Sequence, residues 1–291
     1  MAKELAVNLA FWKMHGAGND FILFDDRDGT FPAQDASWTA RIACRRTGIG
    51  CEGLVLIQPS ATADFRMRFF NPDGAEAAMC GNGARCVAVL AHEIGVAPRR
   101  MRIETAAGLL RAEILGANVR LSMTDPRDWR LDAVLKVMDA EVRYTFVNTG
   151  VPHTVVEVTD LDACRVAELG AALRRHPAFA PAGTNVDFVQ AAGPHAIRLR
   201  TYERGVEAET LACGTGITAA ALVEARLGCV SPPVEVATAG GYILTVDFRL
   251  TDEGATDVSL LGPATHVFQG TVTYPAPSAS TMDPQPAGTP L

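Results

Sequence analysis

A chain of 291 residues that is 48% hydrophobic and 20% charged has the composition of a soluble globular protein with room for two ordinary domains. Its net charge of −7, with no block of Lys or Arg, argues against a nucleic-acid partner, and the lack of any apolar run of about 18 residues argues against a membrane span. The opening MAKELAVNLAFWK has neither the long apolar stretch nor the cleavage site of a signal peptide, so a cytoplasmic location is expected.

In chain order, an apolar stretch leads to His15-Gly16-Ala17-Gly18-Asn19-Asp20. A helix is expected over Trp38–Arg46, then a glycine turn, then a strand at Leu54–Ile57. Asp64–Phe69 alternates polar and apolar residues, the pattern of a half-buried strand. The turn Asn71-Pro72-Asp73-Gly74 follows. Ala84–Ile94 has helical spacing and stops at Gly95. The segments Arg102–Leu115 and Val119–Met123 read as β. Thr124-Asp125-Pro126 is the expected crossing between domains. The second half repeats this order: Thr145–Val147, Gly150-Val151-Pro152-His153, a helix over Val166–Arg175, strands at Asn185–Val189 and Ile197–Tyr202, a helix over Ile217–Leu227, and β segments at Val234–Phe248 and Asp257–Val272. A last strand near 265–274 is expected to return to the first domain. The Pro-, Ala-, Ser- and Thr-rich stretch 275–291 reads as a disordered tail.

The repeat is sharpest in two motifs. Cys80-Gly81-Asn82-Gly83 and Cys213-Gly214-Thr215-Gly216 are separated by 213 − 80 = 133 residues, and Thr105-Ala106-Ala107-Gly108 and Thr238-Ala239-Gly240-Gly241 keep that offset. The expected fold class is therefore α+β: two pseudo-symmetric domains, each of mainly antiparallel strands wrapped around a central helix, with boundaries at 1–126 and 127–264. Each motif puts a cysteine at a helix start. Unpaired backbone N–H groups there carry partial positive charge, favour a thiolate and can hold a carboxylate. Two such motifs face to face offer a base on one side of a carbon and an acid on the other. That arrangement suits racemisation at an α-carbon without a cofactor.

The other five of the seven cysteines do not suggest more. An odd count with no signal peptide argues against a disulfide framework, and no C-x₂-C pair suggests a metal, so no metal or cofactor is expected. Cys44, Cys86, Cys164 and Cys229 read as small buried residues or bystanders.

The strings Lys13–Phe21, Asn71–Glu76, Met79–Cys86, Gly183-Thr184-Asn185, Tyr202-Glu203-Arg204-Gly205 and Glu209–Gly216 resemble, in order, the motifs of the diaminopimelate epimerases. The resemblance runs from Phe11 to about Thr273. It implies interconversion of LL- and meso-2,6-diaminopimelate in lysine and peptidoglycan precursor synthesis, and a homodimer. It also implies that Cys80 and Cys213 transfer the proton. Gly81, Asn82, Gly214 and Thr215 would hold the carboxylate at the reacting centre. Asn19, Asn71, Asn185, Glu203 and Arg204 would line the substrate pocket, and His153 and Glu203 would tune the thiols. Arg204 suits a distal carboxylate because its planar fork can bind bidentately; Asn71 and Asn185 also read as turn formers.

Two positions depart from many relatives: Val151 stands where Asn is common, opposite Asn19 in the repeat, and Gly53 where Gln occurs. Two other functions stay open on the residues. One is a racemase for another amino acid such as proline or histidine, against which Asn82 and the Glu203-Arg204 pair weigh. The other is a non-catalytic amino-acid-binding protein of the same fold.

Overall fold

The computed structural model of the chain describes residues 6–275, so the expected tail lies outside the described residues apart from Pro275. The first half runs β1 (Val7–Gly16), β2 (Asn19–Asp25), α1 (Ala36–Ala43), β3 (Gly53–Gln58), β4 (Phe65–Phe70), β5 (Glu76–Ala77), α2 (Gly81–Glu93), β6 (Arg100–Thr105), β7 (Gly108–Leu115) and β8 (Asn118–Ser122). The second runs β9 (Arg127–Val137), β10 (Ala140–Asn148), β11 (Pro152–Glu157), α3 (Val166–Arg174), β12 (Asn185–Gly193), β13 (Ala196–Glu203), β14 (Ala208–Thr210), α4 (Gly214–Arg226), β15 (Val234–Thr238), β16 (Ile243–Thr251), β17 (Gly254–Pro263) and β18 (Thr265–Tyr274).

The pairings repeat as the sequence does. β1 and β2 are antiparallel, β2 and β3 parallel, β3 and β4 antiparallel, β4 and β6 parallel. β10 through β15 pair in the same senses in the same order. β18 lies antiparallel on β1 as β9 does on β10, and β8 pairs with β17 to join the two sets of strands. The result is α+β and mainly antiparallel, with pseudo-symmetric halves.

Each half closes around one helix. α4 is buried without a break from Gly216 to Ala225. A helix apolar on every side must be buried on every side, and Ala219, Ala220 and Ala221 let strands approach its backbone closely. Val147, Val189, Leu199, Val236 and Leu260 wrap it. α2 is wrapped by Met14, Phe21, Val55, Ile57 and Ile103. Each such side chain contributes about 1.5–3 kcal/mol by leaving water, and these two cores fix where α2 and α4 begin. α1 and α3 instead lie on the outside of the strands, each over a smaller core.

Two expectations shift. Both central helices begin three residues earlier than their apolar periodicity indicates, so the glycines of each motif lie within the first turn and the cysteine itself is the N-cap. β9 is absent from the sequence-based elements, although Trp129, Leu131, Ala133, Leu135 and Val137 alternate along it. Most of that strand is exposed, and the Pro126 turn before it masks the period.

Candidate active site

Cys80 and Cys213 occupy equivalent places. Each has extended backbone (φ −135°, ψ 121° and φ −109°, ψ 109°) and makes no side-chain capping bond. Each carbonyl accepts the first helical bond, from Ala84 N and Ile217 N, both at 2.8 Å. By contrast α1 is capped in the usual way, with Asp35 Oδ1 accepting from Trp38 N at 2.9 Å. The first-turn N–H groups of α2 and α4 are therefore not consumed by a cap. Those of Asn82 and Gly83 donate toward the Cys80 sulfur and that of Gly216 toward Cys213, where they favour the thiolate.

Among the described residues the Asn82 side chain joins the two motifs. Asn82 Nδ2 donates to Asn19 Oδ1 and to Ala212 O, both at 3.0 Å. Ala212 immediately precedes Cys213, so the first turn of α2 touches the residue before the second thiol. Arg85 holds Asn82 in place: its Nη2 donates to Asn82 Oδ1 at 2.7 Å and its Nε to Pro263 O at 3.2 Å. Arg85 is fully buried, an expensive place for a guanidinium unless its bonds are needed. Asn19 also faces Cys80, whose Sγ lies 3.8 Å from Asn19 Oδ1, and donates to Glu52. On the other side Cys213 Sγ lies 3.5 Å from Thr215 Oγ1, and the Thr215 carbonyl accepts from Thr149 Oγ1 at 3.1 Å.

The electrostatics differ from the expectation of readily ionised thiols. Burial, the largest influence, pushes the Cys80 thiol above its ordinary value and Cys213 well above it. The helical N–H groups pull both down by less. The Glu203 carboxylate raises both thiols, so one acidic residue acts on the two at once; Asp187 adds to the effect at Cys213. Glu203 accepts from Thr210 Oγ1 at 2.9 Å, and burial raises its own carboxyl. His153 is fully buried on β11, with Nδ1 2.6 Å from Asp187 Oδ2. Thr201 Oγ1 donates to the other Asp187 oxygen at 2.7 Å. His153 Nε2 is left without a hydrogen-bond partner among the described residues, and the imidazole acts electrostatically on Glu203. A Cβ on Gly216 would come within 2.4 Å of Asp187 Oδ1, which explains the glycine at that step of the motif.

The remaining predicted residues divide. Asn185 belongs to the same wall as Glu203: its Oδ1 accepts from Arg204 N at 2.8 Å and its Nδ2 donates to Pro152 O at 3.1 Å. The Arg204 guanidinium bonds only the Ala182 carbonyl, at 3.0 Å, and makes no ion pair among the described residues; Glu207 pairs with Arg174 and Arg175 instead. Gly81 has open space where a Cβ would be, whereas Gly214 would touch Leu260. Asn71 is tied only through its own turn, with Asn71 N on Ala75 O and Gly74 N on Asn71 O, each at 2.9 Å. Among the described residues no bond links it to either thiol. Gly53 is explained by packing: a Cβ would lie 2.5 Å from the Phe69 ring. Val151 is half-buried, and its carbonyl accepts from Thr149 N at 3.2 Å. Two surface hollows of about 770 and 850 Å³ lie away from both thiols, beside Cys164 and Met101.

Several participants escape sequence reasoning. Glu52, Arg85, Thr149, Asp187 and Thr210 enter through contacts far apart in the chain. Only Arg85 carries a usable signal, as a charge set just ahead of the apolar run Cys86–Ala91.

The sequence profile of the family described as diaminopimelate epimerase matches residues 11–129 and 145–267. The diaminopimelate epimerase of Aquifex aeolicus is 43% identical over 274 residues, spanning 90% of this chain and 97% of the relative. That of Chlorobaculum tepidum is 44% identical over 264 residues, 89% of this chain and 100% of the relative. Among solved structures, a PhzF-family phenazine biosynthesis protein of Bacillus anthracis superposes with TM-score 0.73 at 17% identity, covering 91% of this chain and 99% of that one. A hydroxyproline epimerase of Agrobacterium vitis superposes with TM-score 0.68 at 21% identity, covering 91% and 92%. The last two share the fold; with the profile match over most of the sequence and relatives above 40% identity, the chain belongs to the diaminopimelate epimerase family.

Proposed function

We propose that the protein interconverts LL- and meso-2,6-diaminopimelate by a two-base proton transfer that needs no cofactor. The observation that carries this reading is the Asn82 bridge, which brings two uncapped helix N-termini, each headed by a cysteine, to one place. One thiolate takes the α-proton as the other thiol delivers its proton to the opposite face. The charge that develops passes to the substrate carboxylate, held by the N–H groups of Gly81, Asn82, Gly214 and Thr215. The sulfurs exchange protonation states in each turnover, and the reverse reaction runs from the exchanged state.

Arg204, without a carboxylate of its own, takes the distal carboxylate of the substrate. Glu203 takes an ammonium group, and Asn19, Asn71 and Asn185 complete the pocket. Glu203 and His153 also set the thiol pKa values. The raised values fit a site that closes over its substrate, with lobes 1–126 (joined by 265–274) and 127–264 excluding water. The reading places the enzyme in the cytoplasm, as a homodimer, in the supply of lysine and cell-wall precursor.

A panel of LL-diaminopimelate, proline, histidine and hydroxyproline tests the substrate. Isomerisation of diaminopimelate alone is expected; turnover of proline but not diaminopimelate overturns the assignment. Glu203→Gln tests the electrostatics. An anion beside a thiol disfavours the thiolate, so removing it lowers both thiol pKa values. The rising limb of kcat/KM against pH should move toward acid, while KM rises as the ammonium loses its partner. An unmoved limb contradicts the role given to Glu203.

A further inference from the structure

At the far end of α4 from Cys213, three potential ligands converge. Glu224 lies in the last turn of the helix, Cys229 just beyond its end, and Glu157 closes β11. One atom from each (two carboxylate oxygens and the sulfur) lies within 4.8 Å of the others. Cys229 Sγ is 3.7 Å from Glu157 Oε1. The chain turns back at Gly228, and Cys229 N donates to Glu224 O at 2.9 Å, which holds the thiol beside the carboxyl.

Glu224 is the anomaly. It is 1% exposed, the one charged side chain in the buried stretch of α4, and its Oε1 has no hydrogen-bond partner among the described residues. A buried carboxylate is costly; the Cys229 thiol offsets part of that cost, and Glu157 repels it. Burial, aided by Glu157, pushes the Glu224 carboxyl up to about 7. Cys229 and Glu157 are exposed, so the cluster opens to solvent on one side. The nearest cation-bearing side chain of α4, Arg226, is engaged with the carbonyls of Thr251 and Asp252. No Lys or Arg ion pair engages Glu157 or Glu224 among the described residues.

We infer that Glu157, Glu224 and Cys229 form a binding site for a divalent cation of the zinc class. One thiolate and two carboxylates more than balance the charge of the ion, and the open side leaves room for water as a fourth ligand. A thiolate in the set favours a borderline-soft metal over Mg²⁺ or Ca²⁺, which prefer oxygen alone. Zinc–oxygen and zinc–sulfur distances near 2.1 and 2.3 Å ask for ligand separations of roughly 3.5 Å. The Cys229–Glu157 separation already matches, and small rotations of Glu224 close the rest. The ion would fasten the end of α4 to β11, the two elements that carry Cys213 and His153. No close cysteine pair marks the site in the sequence because its ligands come from segments about 70 residues apart in the chain, joined by the way α4 lies on β11.

Co²⁺ titration of the full chain tests this. A sulfur-to-cobalt charge-transfer band in the near ultraviolet, saturating at one equivalent, is expected. It should persist in the Cys80→Ala/Cys213→Ala double variant and vanish in Cys229→Ser, which should keep wild-type epimerase activity as a check on folding. Glu157→Gln, an exposed change that leaves the fold intact, should weaken Zn²⁺ in chelator competition by about tenfold or more. Zn²⁺ should raise the melting temperature of the wild type and not of Cys229→Ser. Absence of the band, or a band unaffected by Cys229→Ser, overturns the site without touching the proposed epimerase chemistry.

Discussion

Cys80→Ala and Cys213→Ala are each expected to lower epimerisation by about 10³-fold, within the range a positioned acid or base contributes. Each variant keeps one thiol and the whole carboxylate cradle, so KM should change far less than kcat. Stability should hardly move. Neither cysteine makes a side-chain capping bond, and Ala is a near-isosteric loss at each place. Cys→Ser separates acid–base chemistry from packing: the hydroxyl fills the space but ionises far above neutral pH, so serine should be almost as inactive as alanine. Normal turnover by either alanine variant contradicts the pairing of the two sulfurs. An equal loss of melting temperature and activity would assign them a packing role instead.

Asn82→Ala should be the most damaging change at a residue that does not itself move the proton. It removes the acceptor of the buried Arg85 guanidinium and the donor shared by Asn19 Oδ1 and Ala212 O. A buried polar group left unpaired costs about 1–3 kcal/mol, more when charged. With Arg85 Nη1 already lacking a partner among the described residues, a loss of about 3 kcal/mol in urea denaturation is expected. kcat/KM should fall by about 10²-fold, because misplacement of the two helix starts by an ångström is enough for that. Arg85→Met in the same background is diagnostic. It removes the orphaned charge, so the double variant should regain stability without regaining activity. Wild-type stability of Asn82→Ala would show that the bridge does not hold the halves together.

The pseudo-symmetry is legible because motif and fold repeat together. Each central helix starts with the same cysteine and the same spacing of glycines, so Cys80 and Cys213 stand out at one offset. Periodicity found the helix bodies but not their first turns, since Gly81 to Gly83 and Gly214 to Gly216 carry no apolar signal. The state of the thiols is hidden from the sequence for a related reason. A helix N-terminus is visible in sequence; the depth at which it is buried, and the Glu203 charge facing both sulfurs, exist only after folding. Asp187 carries no signal in the sequence, because β12 is buried at every position from Asn185 to Val189 and no local period sets one of them apart. Its bonds to His153 and Thr201 come from neighbouring strands. Gly53, which departs from relatives that carry Gln, leaves room for the Phe69 ring.

Turnover in D₂O, begun separately from each isomer and sampled before equilibrium, probes the pair of sulfurs most directly. If two thiols stand on opposite faces of the α-carbon, deuterium enters the product at every conversion while the remaining substrate stays protiated, in both directions. Deuterium washing equally into substrate and product would mean that one base serves both faces, and the account built on Cys80 and Cys213 would fail.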